Sequence, residues 1–305
     1  MSFRYTRLQP RVPASRGAFP RKAFLFVLVA GLSAVAADPG LDVRLPLKPN
    51  SVRFAVIGDN GTGGREQYDV ARVMARYREV AGFDFVIMMG DNLYGGESAS
   101  DFQKKFEDPY APLLAAGVKF YASLGNHDNP NERFYKPFNM NEKRYYNFKK
   151  GNAEFFALDS GYMDAPQVDW LQAQLEGSGA AWKICFFHHP LYSDGKFHGP
   201  DLDLRKRLEP IFLQDGVNAV FSGHEHLYER LTPQNGIYYF IEGNSGELRP
   251  HNLRPSPSMA KGFDTDRAFM LIEIAGDELY FQTIARSGET VDSGTIERQT
   301  PRKQE

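Results

Sequence analysis

Five short apolar runs of this chain each stop at a glycine or a tight turn and give way to a side chain offering oxygen or nitrogen. Residues 52–57 lead into Gly58-Asp59-Asn60-Gly61, and 83–89 into Gly90-Asp91. Residues 118–124 lead into Gly125-Asn126-His127, 182–187 into His188-His189-Pro190, and 217–221 into Gly223-His224-Glu225-His226. A single Asp after a strand is ordinary turn chemistry. Five strand ends carrying donor side chains are a different matter, because open α/β sheets gather their ligands where the carboxyl ends of strands converge.

Between these runs, apolar residues keep helical spacing. Val70, Val73, Met74, Tyr77 and Val80 predict a helix over 65–81, and further helices are expected near 102–106, over 167–175 and over 202–213. Residues 145–148 and 154–158 read as a strand pair turning at Lys150-Gly151-Asn152, and the last third adds strands at 237–241, 269–274 and 279–284. Alternating β and α units imply a parallel or mixed sheet covered by helices, and the late run of strands implies a second sheet packed on the first.

The donor set excludes soft-metal sites. Cys185 is the only cysteine, so no intramolecular disulfide and no thiolate cluster can form. Carboxylates, an amide and imidazoles suit Fe, Mn, Zn or Mg. Asp59, Asp91, Tyr94, Asn126, His188, His224 and His226 offer seven donors, enough for two ions, with Asp91 midway in the series as a natural bridge.

Charge is unevenly distributed. Residues 1–36 hold Arg4, Arg7, Arg11, Arg16, Arg21 and Lys22 and no acid; taking these six from 36 basic residues leaves 30 against 38 acidic. That balance disfavours a nucleic-acid surface. The basic start, the apolar run 23–35 and the small residues of Ala34-Val35-Ala36 read as a cleavable export signal over 1–36, too short for a good membrane span. The expected organisation is this signal, a linker over 37–50, a catalytic domain over 51–290 and a C-terminal tail over 291–305. The expected location is periplasmic or secreted, with no membrane attachment after cleavage, and the expected state is a monomer.

In order and spacing, Gly58-Asp59-Asn60-Gly61, Gly90-Asp91-Asn92-Leu93-Tyr94, Gly125-Asn126-His127-Asp128, Phe187-His188-His189-Pro190 and Gly223-His224-Glu225-His226 resemble the five blocks of calcineurin-like metallophosphoesterases. Tyr94 points to the purple acid phosphatases, in particular their small single-domain members. The resemblance, over roughly 52–285, implies an α-β-β-α sandwich of two mixed sheets. It also implies Fe(III) held by Asp59, Tyr94 and His226, and a divalent ion (Fe, Zn or Mn) held by Asn126, His188 and His224, with Asp91 bridging. His127 would contact the phosphate or protonate the leaving group, and His198 resembles a second substrate-side histidine, although 188–198 runs about one residue longer than in the small animal enzymes. The long protease-sensitive loop of those enzymes is missing after Leu158-Asp159. The implied reaction is phosphomonoester hydrolysis of small substrates by attack of metal-bound hydroxide. A phosphodiesterase, a redox-active protein and a non-catalytic metal-binding protein are the alternatives. Read singly, His189 is structural, His251 is a surface loop residue, and the charged stretch from Glu225 to Arg230 is a solvated edge.

Overall fold

The computed structural model describes residues 40–298. The expected export signal lies outside them. Two sheets make the frame. The first has the order β13 (Thr290–Glu297), β12 (Glu278–Ala285), β11 (Ala268–Ala275), β1 (Val52–Ile57), β2 (Phe85–Met88), β3 (Lys119–Ala122). The second has the order β10 (Met259–Phe263), β8 (Tyr228–Leu231), β9 (Tyr238–Glu242), β7 (Ala219–Ser222), β6 (Trp182–Phe186), β5 (Ala153–Ala157), β4 (Tyr146–Lys150).

Both sheets are mixed. β1, β2 and β3 are parallel, as are β5, β6, β7 and β9, while β11 to β13, the β4 edge and the β8–β10 pair at the other end run antiparallel. Parallel runs need crossovers, and the helices supply them. α1 (Arg65–Ala81) buries Val70, Met74 and Tyr77 and stops at Gly82, whose left-handed φ of 65° lets its N–H close on Arg78 O. Tyr77 packs edge-on against Phe269 of β11, so this helix covers the first sheet. α2 (Ala99–Phe102) continues as a π-helical turn over Gln103–Glu107, and α3 (Ala111–Ala115) follows. α4 (Ala165–Glu176) and α5 (Leu202–Asp215) cover the second sheet with Leu171, Leu175, Leu204, Leu208 and Phe212.

Alternation along the strands decides which layer each side chain joins. In β5, Phe155 turns inward to meet Phe54 and Phe85 of the first sheet at 5.1 and 5.4 Å between ring centroids, while Phe156 joins the outer helical layer. Ile184 and Phe186 of β6 likewise face inward, and Cys185 faces the helices. The result is the expected α-β-β-α sandwich.

Three expectations need correction. The residues assigned to a C-terminal tail contain β13, whose Asp292 binds Arg230 at 2.7 Å and Tyr228 at 2.8 Å across the sandwich. The described part of the linker is strapped down: Arg44 N donates to Gln282, Leu47 N and Lys48 N donate to Glu273, and Leu45 is buried. The stretch from Glu225 to Arg230 is no solvated edge, because it enters β8 and both Glu225 and Glu229 are fully buried.

Candidate metal centre

Loops at the carboxyl ends of β1, β2, β3, β6 and β7 converge between the two sheets. Asp59 N donates to Gly90 O, Gly223 N to His188 O, and His224 N to the Asp59 carboxylate at 2.9 Å, which stitches the loops of one sheet to those of the other. The approach is close: a Cβ on Gly90 would strike Gly125 backbone and the His188 ring, and Gly90 has a φ of 86°. Asp59, Asp91 and His224 also sit in the left-handed region, at φ 52°, 51° and 69°. Each chain thus turns sharply as it leaves its strand and aims the donor inward.

The seven expected donors form two groups that share Asp91. In the first, the Tyr94 hydroxyl lies 3.0 Å from Asp91 Oδ2, 3.3 Å from Asp59 Oδ1 and 3.4 Å from His226 Nε2, and His226 Nε2 is 3.3 Å from Asp59 Oδ1. In the second, His188 Nε2 lies 2.9 Å from Asn126 Oδ1, 3.0 Å from His224 Nδ1 and 3.5 Å from Asp91 Oδ1.

The Tyr94 hydroxyl can donate to either carboxylate, but the contacts of His188 Nε2 with oxygen do not explain themselves as hydrogen bonds. His188 Nδ1 lies 2.8 Å from Met89 O, which can only accept, so the ring proton sits there and Nε2 carries a lone pair. That lone pair faces a carboxylate oxygen and an amide oxygen. Burial holds His188 well below the usual imidazole range, and burial with the neighbouring His188 does the same to His224, so neither ring gains a proton to relieve the contact. Burial, followed by the nearby Asp91, pushes the Asp59 carboxyl well up; burial and the two carboxylates push the Tyr94 phenol up as well. Neutral imidazoles, a phenol and two close carboxylates at spacings of 3.0–3.5 Å fit donors around shared cations, whose bonds to N and O are about 2.0–2.2 Å. Cations there would reverse the shifts of Asp59 and Tyr94.

The two expected substrate-side histidines flank this cluster. His127 exposes its ring 5.0 Å from Tyr94, and its backbone N–H donates to Asp91 Oδ1. His198 lies against His224 with centroids 3.9 Å apart, and its Nε2 accepts from Arg249 at 2.8 Å. Three neighbours were not singled out for these positions from sequence. His189 groups with His188 and His224, its Nδ1 2.8 Å from Ser160 Oγ. Arg249 lies over Phe197, with its guanidinium carbon 3.5 Å from the ring centroid. Glu225 accepts from His198 N, Gly199 N and Asn252 Nδ2, tying the His198 loop to the site. For His189 the signal was the adjacent ligand-type histidine; for the other two, only the fold brings distant loops together.

A family model described as calcineurin-like phosphoesterase matches residues 52–228, more than half of the chain and every donor from Asp59 to His226. The chain belongs to the calcineurin-like phosphoesterase family. Among curated members similar to this phosphoesterase, tartrate-resistant acid phosphatase type 5 of Mus musculus is 26% identical over 299 residues, covering 81% of this chain and 91% of that protein. Purple acid phosphatase 4 of Arabidopsis thaliana is 29% identical over 294 residues, covering 83% and 86%. Solved structures agree on the fold. Purple acid phosphatase PPD1 from yellow lupin (Lupinus luteus) superimposes with a TM-score of 0.66 at 20% identity, over 84% of this chain and 55% of that one. GAP50, described as the anchor in the inner membrane complex of Plasmodium, superimposes with a TM-score of 0.73 at 18% identity, over 83% and 90%.

Proposed function

We propose that this phosphoesterase is an exported, monomeric acid phosphatase that hydrolyses small phosphomonoesters at a centre of Fe(III) and a divalent ion. One observation carries the dinuclear reading: the two oxygens of Asp91 face different donor groups, Oδ2 toward Tyr94 and Oδ1 toward His188. Asp59, Tyr94 and His226 would hold the ferric ion, Asn126, His188 and His224 the divalent ion, and Asp91 both. Bound there, two cations supply charge neutralisation for an anionic ester and a lowered pKa for water.

The chain's own residues do the rest. His127, fixed through its backbone to Asp91 and open to solvent, holds a proton for the departing oxygen. Burial keeps His198 below the usual imidazole range, and with Nε2 occupied by Arg249 its proton sits on Nδ1, a donor for the phosphate. His188 Nδ1 holds its proton on Met89 O, which fixes that ring's orientation. The acid phosphatase relatives support the monoester reading. Among the described residues no helix is long and apolar enough to cross a membrane, and the basic, apolar start of the chain supports export.

The test is initial rates on matched aryl phosphate mono- and diesters from acidic to neutral pH, with protein beginning at Ala37. Monoester preference with an acidic optimum is expected; diester preference overturns the assignment in favour of a phosphodiesterase. Tyr94→Phe is expected to remove a visible charge-transfer band and spare much of the hydrolysis. A band that survives it refutes the ferric–phenolate assignment.

A further inference from the structure

Between β2 and β3 the helical chain is irregular, and its own residues make it so. Pro109 has no N–H, so Lys105 O lacks the donor that an α-helix would bring from four residues on. Asp108 N, the donor that Lys104 O would have in an α-helix, turns instead to Gln103 O at 2.8 Å and closes the π turn. α1 supplies both replacements. Tyr68 OH donates to Lys104 O at 2.8 Å, and Gln67 Nε2 donates to Lys105 O at 2.6 Å. Gln67 is buried, and its Oε1 accepts from Gly63 N at 2.8 Å. The π turn is therefore fixed both to α1 and to the loop that carries Asp59.

From this turn the Lys105 side chain crosses to the segment after Tyr94. Only 8% of Lys105 is exposed, and lysines are almost never buried unless paired. Its Nζ donates to Tyr94 O at 2.7 Å and to Gly96 O at 3.0 Å, and lies 2.7 Å from Asp101 Oδ1, which occupies all three N–H bonds. Among the described residues no other donor reaches either carbonyl. Tyr94 N donates to Gly61 O at 3.0 Å, so the tyrosine is held by the first loop on its amide side and by Lys105 on its carbonyl side. Gly95, at a φ of 84°, and Gly96 follow at once, and glycines impose little order of their own. The residue gripped in this way is the one whose hydroxyl meets Asp59, Asp91 and His226.

We propose that Lys105 is a positioning residue for Tyr94: anchored through the π turn, it holds the main chain of 94–96 so that the phenol oxygen stays among Asp59, Asp91 and His226. The inference rests on the reading of Tyr94 as a ferric ligand and extends it to what keeps that ligand in place. Sequence places a helix near 102–106 and gives Lys105 no part in the site. The signal that it carries is the proline four residues on, which frees a main-chain carbonyl for α1.

The test uses metal-loaded protein beginning at Ala37 and reads two quantities besides turnover: the visible band assigned to Tyr94, and the rate at which excess chelator bleaches it. Lys105→Met keeps the length of the stem and removes the donors. It should shift the band and speed its bleaching about tenfold. Lys105→Gln, shorter by one atom but still a donor, should bleach faster than wild type by a smaller factor, and it carries the test should the methionine variant not fold. Thermal denaturation separates positioning from bulk support. A variant that loses stability while its band and bleaching rate match wild type shows Lys105 to be a packing residue and overturns this inference alone, as does a variant unchanged in every readout. Wild-type protein that binds iron without such a band overturns the ferric–phenolate reading and this inference with it.

Discussion

Glu225 offers the sharpest test of how the site is held, since its charge is wholly buried and serves no cation directly. Its Oε1 accepts from His198 N at 2.7 Å and Gly199 N at 2.6 Å, and its Oε2 accepts from Asn252 Nδ2 at 2.5 Å. Glu225→Ala leaves three donors without their acceptor. Hydrogen bonds to a charged group contribute about 1.5–3 kcal/mol each, and water entering the vacated volume recovers part, so the expected loss is about 3–5 kcal/mol. For a domain of this size about 1 kcal/mol moves Tm by about 2–4 °C, which places the expected fall at about 6–20 °C.

Glu225→Gln separates shape from charge. The glutamine oxygen can keep both backbone donors, and its amide can meet Asn252 once that side chain rotates to present its oxygen, so a loss of about 1 kcal/mol is expected. Gly195→Ala attacks the same contact from the other side, because a Cβ there would run into the Glu225 carboxyl group. Thermal denaturation gives the stability change. kcat/KM on a phosphomonoester, measured well below Tm, gives the effect of releasing the His198 loop, expected to fall about tenfold or more for the alanine variant. An alanine variant within about 1 kcal/mol of wild type would refute the argument that this carboxylate anchors the loop.

Three further outcomes follow from the same geometry. His127→Ala should lower kcat by about 10²–10⁴-fold with metal content and Tm unchanged, because the ring is exposed; loss of bound metal in this variant would contradict the assigned role. In metal-free protein, Asp59→Asn should raise stability by about 1–2 kcal/mol by removing a carboxyl that must be buried beside Asp91 either charged or at the cost of taking up a proton, while metal-binding assays show one site lost; destabilisation of the metal-free form would count against the cation argument. Burial pushes the Glu229 carboxyl up to about 8 from 4.5. The folded state therefore holds the proton more tightly, so its contribution is full below pH 4.5 and lost as pH rises through 8. Glu229→Gln should flatten the stability profile across that window by about 2–4 kcal/mol, and an unchanged slope in denaturant titrations rules the effect out.

The sequence was most readable where local chemistry and tertiary demand agree. The first strand and helix stand at 52–57 and 65–81 as read, because an apolar run, a glycine turn, helical spacing and the capping Gly82 all give one answer. β8 failed for the opposite reason. Its Glu229 and Arg230 look like solvent-facing charges, yet they are satisfied by Ser193 and Asp194, 36 and 35 residues back, and by Asp292, 62 residues ahead. β13 was lost because Thr290–Glu297 is polar and mostly unburied, with its register set by antiparallel pairing to β12. No local pattern carries such partners.

The convergence of the expected donors was legible for a physical reason that the supports lack. Asp59, Asp91 and His224 hold left-handed backbones that cost a non-glycine residue roughly 1 kcal/mol or more. Glycines must stand beside them, since Gly125 and Gly223 leave no room for a Cβ against Asp91 and Asp59. Glycine followed by a ligand-type side chain is thus the mark of a turn that only close convergence makes necessary, and it survives in one dimension. The strain it records is concentrated where two buried carboxylates and lone-pair imidazoles already oppose one another. Local conformational preference and local electrostatics both argue against this arrangement in a protein without cations, and both costs fall at the same few residues. Two shared ions would offset the repulsion and hold the turns in place, so one cause would account for the glycines, the backbone strain and the neutral histidines together.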